Sequence, residues 1–225
     1  MPINKQAYEQ LTTDLGSHHI TLVAVSKTKS VEEIRELYDL GQRDFGENYV
    51  QELAEKQAKL PNDIRWHFIG HLQSNKAKQI APFIHLIQSV DSSKLLLEIN
   101  KQAQKNNRII KCLVQIHIAR EETKFGLDEY ELKALIDTNA IELHELLNVR
   151  IIGLMGMASF TDDMEKVRSE FQYLKRLFNT YAKLSIDNCQ LTTLSMGMSG
   201  DYFVAIEEGS NMVRIGSLIF GARDK

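Results

Sequence analysis

Lys27 is the residue of this chain best placed for covalent chemistry. It closes an apolar run, HITLVAVSK (19–27), and two-residue alternation puts Val23, Val25 and Lys27 on one strand face. An amine carried into a partly desolvated mouth has a lowered pKa, and a second cation two residues on, Lys29, lowers it further. Both effects favour the neutral amine that forms a Schiff base with a carbonyl. The competing reading is a solvated lysine after a strand.

Two glycine- and serine-containing segments near the end of the chain could hold an anion. The first, Ser195-Met196-Gly197-Met198-Ser199-Gly200-Asp201, leads into a helical stretch with Ser199 placed as its N-cap. The second puts Gly216 and Ser217 just after Arg214. Backbone N–H groups and hydroxyls at such turns suit a dianion, although the same residues are ordinary capping chemistry. Arg214 alternates with Met212 and Gly216, opposite in phase to Val213 and Ile215. If it faces inward it needs an acceptor, either a ligand or an inward carboxylate. The segment WHFIGHLQSNK (66–76) gathers imidazole, amide and ammonium groups; a core histidine followed by a helix start explains it equally well.

Other chemistries find no support. His144-Glu145 lacks the second histidine of a zinc helix motif, so no metal is assigned. Cys112 and Cys189 lie in no nucleophile motif and read as small apolar residues. No Gly-x-Ser-x-Gly elbow occurs.

The elements that must position these groups alternate between short β-rich runs and longer helical stretches. A helix over about Ile3–Leu15 opens the chain. Strand-like runs follow at His19–Lys27, Arg43–Asn48, Arg65–Gly70, Leu86–Asp91, Ile109–Ala119, Val149–Ala158, Gln190–Gly197 and Met212–Phe220. Helices are expected between them: Ser30–Gly41, Tyr49–Leu60, Asn75–Ile84, Ser92–Asn106, Asp128–Leu146, Asp162–Leu184 and Gly200–Glu208. Eight such units in 225 residues predict a closed (β/α)8 TIM barrel, with the opening helix taking the place of one missing after the last strand. An open doubly wound sheet is the alternative, but no G-x-G-x-x-G follows the first strand. No linker interrupts the alternation, so residues 1–225 are expected to form one domain.

Composition narrows the class. The 43% apolar and 25% charged residues are ordinary for a globular chain, and 12 glycines with 3 prolines exclude low-complexity character. A net charge of -3 argues against a nucleic-acid binder. Two cysteines make no disulfide framework, no run is long enough to span a membrane, and the start carries no apolar signal region. A cytoplasmic location is expected.

Together the segments AVSKTK (24–29), FGENYVQE (45–52), WHFIGHLQSNK (66–76), TKFGL (123–127), GLMGM (153–157), LSMGMSGD (194–201) and MVRIGSLIFGARD (212–224) resemble the YggS/PROSC group of pyridoxal 5′-phosphate (PLP) homeostasis proteins. The resemblance implies a barrel like the N-terminal domain of alanine racemase, with PLP as cofactor held as a Schiff base on Lys27. It implies phosphate contacts from Ser199, Gly216 and Ser217, helped by the Ser195 loop. Arg214 would face the pyridine nitrogen, and Asn48 and Met157 would line the ring. Lys29 and Lys124 match further lysines of the pattern in auxiliary roles, while His67 and Asn75 are placed only by location. Ser30, Asn211 and His71 depart from the pattern without removing a binding group.

An arginine at the pyridine nitrogen leaves the ring a weak electron sink. A racemase of this lineage also needs a second acid/base from an additional domain, and only residues 221–225 follow the last strand-like run. The expected function is therefore PLP storage and supply, modulating amino- and keto-acid metabolism without established catalysis. The expected partners are PLP and apo PLP-dependent enzymes, with a monomer as the default and no nucleic acid or membrane. A weak PLP-dependent amino-acid racemase is the alternative; a barrel binding a phosphorylated metabolite without a Schiff base is a third class.

Overall fold

The computed structural model describes residues 3–119, 125–136, 146–183 and 188–221. Among them eight parallel strands close into a barrel in chain order, with the last paired to the first. They are β1 Thr21–Val25, β2 Asp44–Glu47, β3 Arg65–Phe68, β4 Leu86–Val90, β5 Ile110–Ile116, β6 Val149–Gly156, β7 Cys189–Ser195 and β8 Met212–Ile215. The described helices are α1 Lys5–Ser17, α2 Val31–Asp39, α3 Val50–Gln57, α4 Ala77–Ile80, α5 Ser93–Lys105, α6 Glu129–Ile136, α7 Met164–Tyr181, α8 Tyr202–Glu207 and α9 Ser217–Phe220. The expected TIM barrel forms, and the open sheet does not.

Strand alternation sorts the side chains into two layers. Val23, Leu86, Leu113, Met155 and Met212 pack together as an apolar cluster inside the barrel. Their neighbours in sequence, among them Leu22, Ala24, Cys112, Leu154 and Val213, belong to the larger cluster under the helices. Both cysteines are free and buried.

Local chemistry sets the helix starts. Ser30 and Glu33 form a reciprocal capping box on α2, and Ser92 and Asp163 cap α5 and α7. Asn4 caps α1 through its side chain, and its N–H donates to the Ile219 carbonyl at 2.8 Å. That bond seats the opening helix against α9, near the expected place.

Several boundaries differ from expectation. The run Met212–Phe220 is strand only to Ile215; at Gly216 the chain turns into α9, whose Ile219 and Phe220 N–H groups both donate to the Gly216 carbonyl. Apolar residues that read as strand there are buried by a helical turn instead. The helix expected over Asn75–Ile84 is a 3-10 turn, Ser74–Lys76, followed by the short α4. Of the helix expected over Asp128–Leu146, α6 covers Glu129–Ile136, and residues 137–145 lie outside the described residues.

Candidate functional site

A cavity of about 620 Å³ opens at the carboxyl end of the barrel, within the size range of small-molecule sites. Its wall includes Lys27, Asn48, Met157, Ser199, Arg214, Gly216 and Ser217, which come from five different strand ends. Seven of the eight residues singled out in the sequence thus meet in one place.

Lys27 is half-buried and reaches the cavity from a turn rather than from the strand itself, because β1 ends at Val25. The turn is closed by the Lys29 N–H donating to the Ser26 carbonyl at 3.0 Å, with Thr28 at φ 65°. Buried charges hold it from below. Ser26 Oγ donates to Glu47 Oε1 at 2.6 Å, and Lys56 Nζ donates to the Ser26 carbonyl at 2.7 Å and to Glu47 Oε1 at 2.8 Å. Lys56 also donates to Glu52 Oε1 at 2.6 Å, which accepts the Thr28 N–H at 2.6 Å. Burial pushes the Glu47 carboxyl above its ordinary range, against the pull of Lys56. Lys29 lines the cavity, but its amine donates to the Phe220 carbonyl at 3.0 Å, tying the turn to α9.

The loops after β7 and β8 form the opposite wall. Ser199 is not the cap of α8: that position is Asp201, whose carboxylate instead accepts the Met198 N–H at 2.6 Å. Ser199 Oγ accepts the Gly216 N–H at 3.3 Å and so joins the two loops. Among the described residues, no protein acceptor meets the backbone N–H groups of Ser199, Gly200, Ser217 and Leu218 at the cavity rim. Four such donors beside the Ser199 and Ser217 hydroxyls are chemically suited to an anion. Gly197 makes the loop possible: its φ is 95°, and a Cβ there would sit 2.6 Å from the Ala205 Cβ.

Arg214 points inward on the same face as Met212, which settles the direction that the alternation left open. Its acceptors are not a carboxylate. Nη1 donates to Ser195 Oγ at 2.6 Å and Nη2 to the Gly156 carbonyl at 3.0 Å. Burial lowers its pKa to about 10, with Asp201 opposing, so it stays a cation at neutral pH. Ser195 therefore corrects expectation: it is fully buried beneath Arg214 and is not part of the cavity wall.

Asn48 and Met157 line the cavity, and Asn48 Oδ1 is buried without a hydrogen-bond partner. Asn75 is exposed on the 3-10 turn and is not part of the wall. His71 is also exposed, pairing with Asp91 at 2.9 Å and stacking on Phe125. His67 lies on β3 and faces the barrel interior. Lys124 and His144-Glu145 lie outside the described residues. Among the described residues, no group of three His, Cys, Asp or Glu could hold a metal, and no helix is long and apolar enough to cross a membrane.

Sequence reading missed Lys56 and Glu47, whose signal was only a charge in each of two adjacent elements, and Gln88, which had none. It also missed Ile69, Phe160 and Met164 on the cavity wall.

Known proteins share this fold and much of this sequence. The family described as alanine racemase, N-terminal domain, matches residues 3–224. The chain is 42% identical to the pyridoxal phosphate homeostasis protein of Aquifex aeolicus, over 92% of this chain and 89% of that one. It is 40% identical to the human protein of the same name, over 98% of this chain and 82% of that one. PipY of Synechococcus elongatus, solved with PLP bound, superposes with a TM-score of 0.84 at 35% identity, over 96% of this chain and 100% of that one.

Proposed function

Because the chain belongs to the pyridoxal phosphate homeostasis proteins, built on the alanine racemase N-terminal domain, we propose that it binds PLP in the barrel-mouth cavity, stores it and supplies it. The observation that carries this reading is the pairing, across one cavity, of a lysine on the turn after β1 with a cluster of backbone donors. When bound, the cofactor supplies an aldehyde that amines capture reversibly. Lys27 is the Schiff-base lysine in this reading, condensing with that aldehyde and releasing one water.

Ser199 and Ser217, with the neighbouring N–H groups, take the phosphate, and Gly216 holds the two loops together there through its N–H on Ser199 Oγ. Arg214 faces the ring nitrogen from the cavity floor, while Asn48 and Met157 flank the ring. Ser195 acts from behind Arg214. The arginine keeps a second positive charge off the nitrogen, so these residues hold the cofactor without favouring carbanion chemistry. The curated relatives are named for homeostasis, and the chain is read as a carrier rather than an enzyme.

One barrel domain over residues 1–225 suffices for this role. Apo PLP-dependent enzymes are the proposed recipients and a monomer the proposed state. The net charge of -3 supports the absence of a nucleic-acid partner, and the two free cysteines support a reducing cytoplasm.

Borohydride treatment of the PLP-loaded protein tests the site. The reduced pyridoxyl mass is expected on the peptide carrying Lys27 and is lost in Lys27→Ala. A label on another lysine would overturn the assignment. A loaded protein that never yields PLP to an apo-enzyme in excess amino acid would overturn the carrier role.

A further inference from the structure

We propose that Gln88 and His67 are positioning residues for Arg214, forming the middle of a one-directional hydrogen-bond chain that runs through the barrel from the cavity floor to Asp44 at the amino end of β2. The chain draws one residue from each of five strands. Arg214 Nη1 donates to Ser195 Oγ at 2.6 Å, and Ser195 Oγ donates to Gln88 Oε1 at 2.7 Å. Gln88 Nε2 meets His67 Nδ1 at 2.9 Å, and His67 Nε2 meets Asp44 Oδ1 at 3.0 Å. All five residues are buried.

Gln88 sets the direction. Its Nε2 also lies 3.3 Å from Met212 Sδ, a thioether that can only accept, so the amide nitrogen belongs on that side. Oε1 then faces Ser195, whose hydroxyl must donate to it and keeps its lone pairs for Arg214. On the other side His67 must accept at Nδ1 and so carries its proton on Nε2, assigned here from the network. Only a carboxylate or another acceptor suits that proton, and Asp44 supplies one. Arg65 Nε holds the same Asp44 oxygen at 2.8 Å. Burial pushes the Asp44 carboxyl up, but the bonds from Arg65 and His67 outweigh it and keep it ionised.

The consequence lies at the cavity. With Nη1 committed to Ser195 and Nη2 to the Gly156 carbonyl, the guanidinium plane has one orientation where Arg214 lines the cavity. Turning the Gln88 amide over would put a second donor on Ser195 and take away the acceptor of its hydroxyl proton. A network satisfied from Ser195 to Asp44 and surrounded by the inner apolar cluster resists that change. The bearing on the cofactor rests on the PLP reading above; the chain itself does not.

The test has two arms. In cofactor-free protein, Ser195→Ala is expected to change the imidazole nitrogen resonances of His67, two links away, while His71 stays unchanged. In PLP-loaded protein, Gln88→Met is expected to shift the long-wavelength absorption band and to speed cofactor release to excess amine about fivefold, the loss of roughly one hydrogen bond. Borohydride labelling of Lys27 should persist. Val167→Ala, an outer-core change, serves as the control at a similarly lowered melting temperature and should move neither band nor release rate. Unchanged His67 resonances in the first arm, or a Gln88→Met protein matching that control in the second, would overturn the proposal. Failure to label Lys27 in the unmodified protein would refute the PLP reading instead and leave the first arm to judge the chain.

Discussion

Lys56 Nζ sits 2.8 Å from Glu47 Oε1, and both side chains are buried beneath the turn that presents Lys27. The pair does more than neutralise itself. Through Ser26 and Glu52 it holds the backbone on either side of Lys27, so a buried ion pair fixes where an amine enters the cavity.

Removing one partner should therefore cost both stability and binding. Lys56→Met leaves Glu47 as an uncompensated buried carboxyl and is expected to lower unfolding free energy by about 3–5 kcal/mol in urea melts. Adding Glu47→Gln should recover most of that loss, because no charge is then stranded. PLP retention should stay impaired in the double variant, since the Ser26 carbonyl and Thr28 N–H remain less firmly held. Recovery of retention along with stability would show that the pair plays no part in placing the turn.

A second prediction separates the phosphate cradle from the rest of the site. Gly197→Ala forces a side chain into a φ of 95° and against Ala205, which should cost roughly 2 kcal/mol and displace the loop. Binding of PLP should weaken markedly, whereas binding of pyridoxal, which has no phosphate, should change little. Gly200→Ala has open space around its Cβ and is expected to leave the melting temperature nearly unchanged. Equal losses for PLP and pyridoxal would place the anion elsewhere.

Acid stability carries the third. Burial holds the His85 imidazole down at about 4, against an ordinary value of 6.5. The folded state thus resists protonation between those values while the unfolded chain takes up the proton. Its contribution is complete above about pH 6.5, is lost as pH falls towards 4, and levels off below that. Because the ring is partly exposed, the swing should be about 1–2 kcal/mol rather than the full value for a buried group. Urea melts from pH 7 to pH 4.5 should show this slope, and His85→Gln should flatten it. An unchanged slope in that variant would assign the titration to another group.

Much of this was legible in the chain. Alternation with periods of two and about 3.6 marked each strand and most helices, because burial of one face is a local demand on consecutive residues. The same logic put Arg214 on one strand face with Met212 and left the structure to show that this face is the inner one, and the gathering of Lys27, Ser199, Gly216 and Ser217 at one rim followed from the barrel, whose strands all point their carboxyl ends one way.

What only the tertiary structure decided was which distant groups complete one another. Ser195 and Gln88 are 107 residues apart, and nothing in either strand-like run pairs them until the closed barrel brings β4 across from β7. The polar chain through the interior and the buried clamp under Lys27 have no period and no motif, since each bond depends on where separate strands and helices come to rest. The turn at Gly216 likewise comes with a distant partner, the opening helix, whose Asn4 N–H donates to the Ile219 carbonyl of α9. Sequence alone determined the order of the elements and the residues at their ends, because those are properties of neighbours. Packing decided the partners of the buried polar groups, because a hydrogen bond inside a closed barrel is satisfied across space and not along the chain.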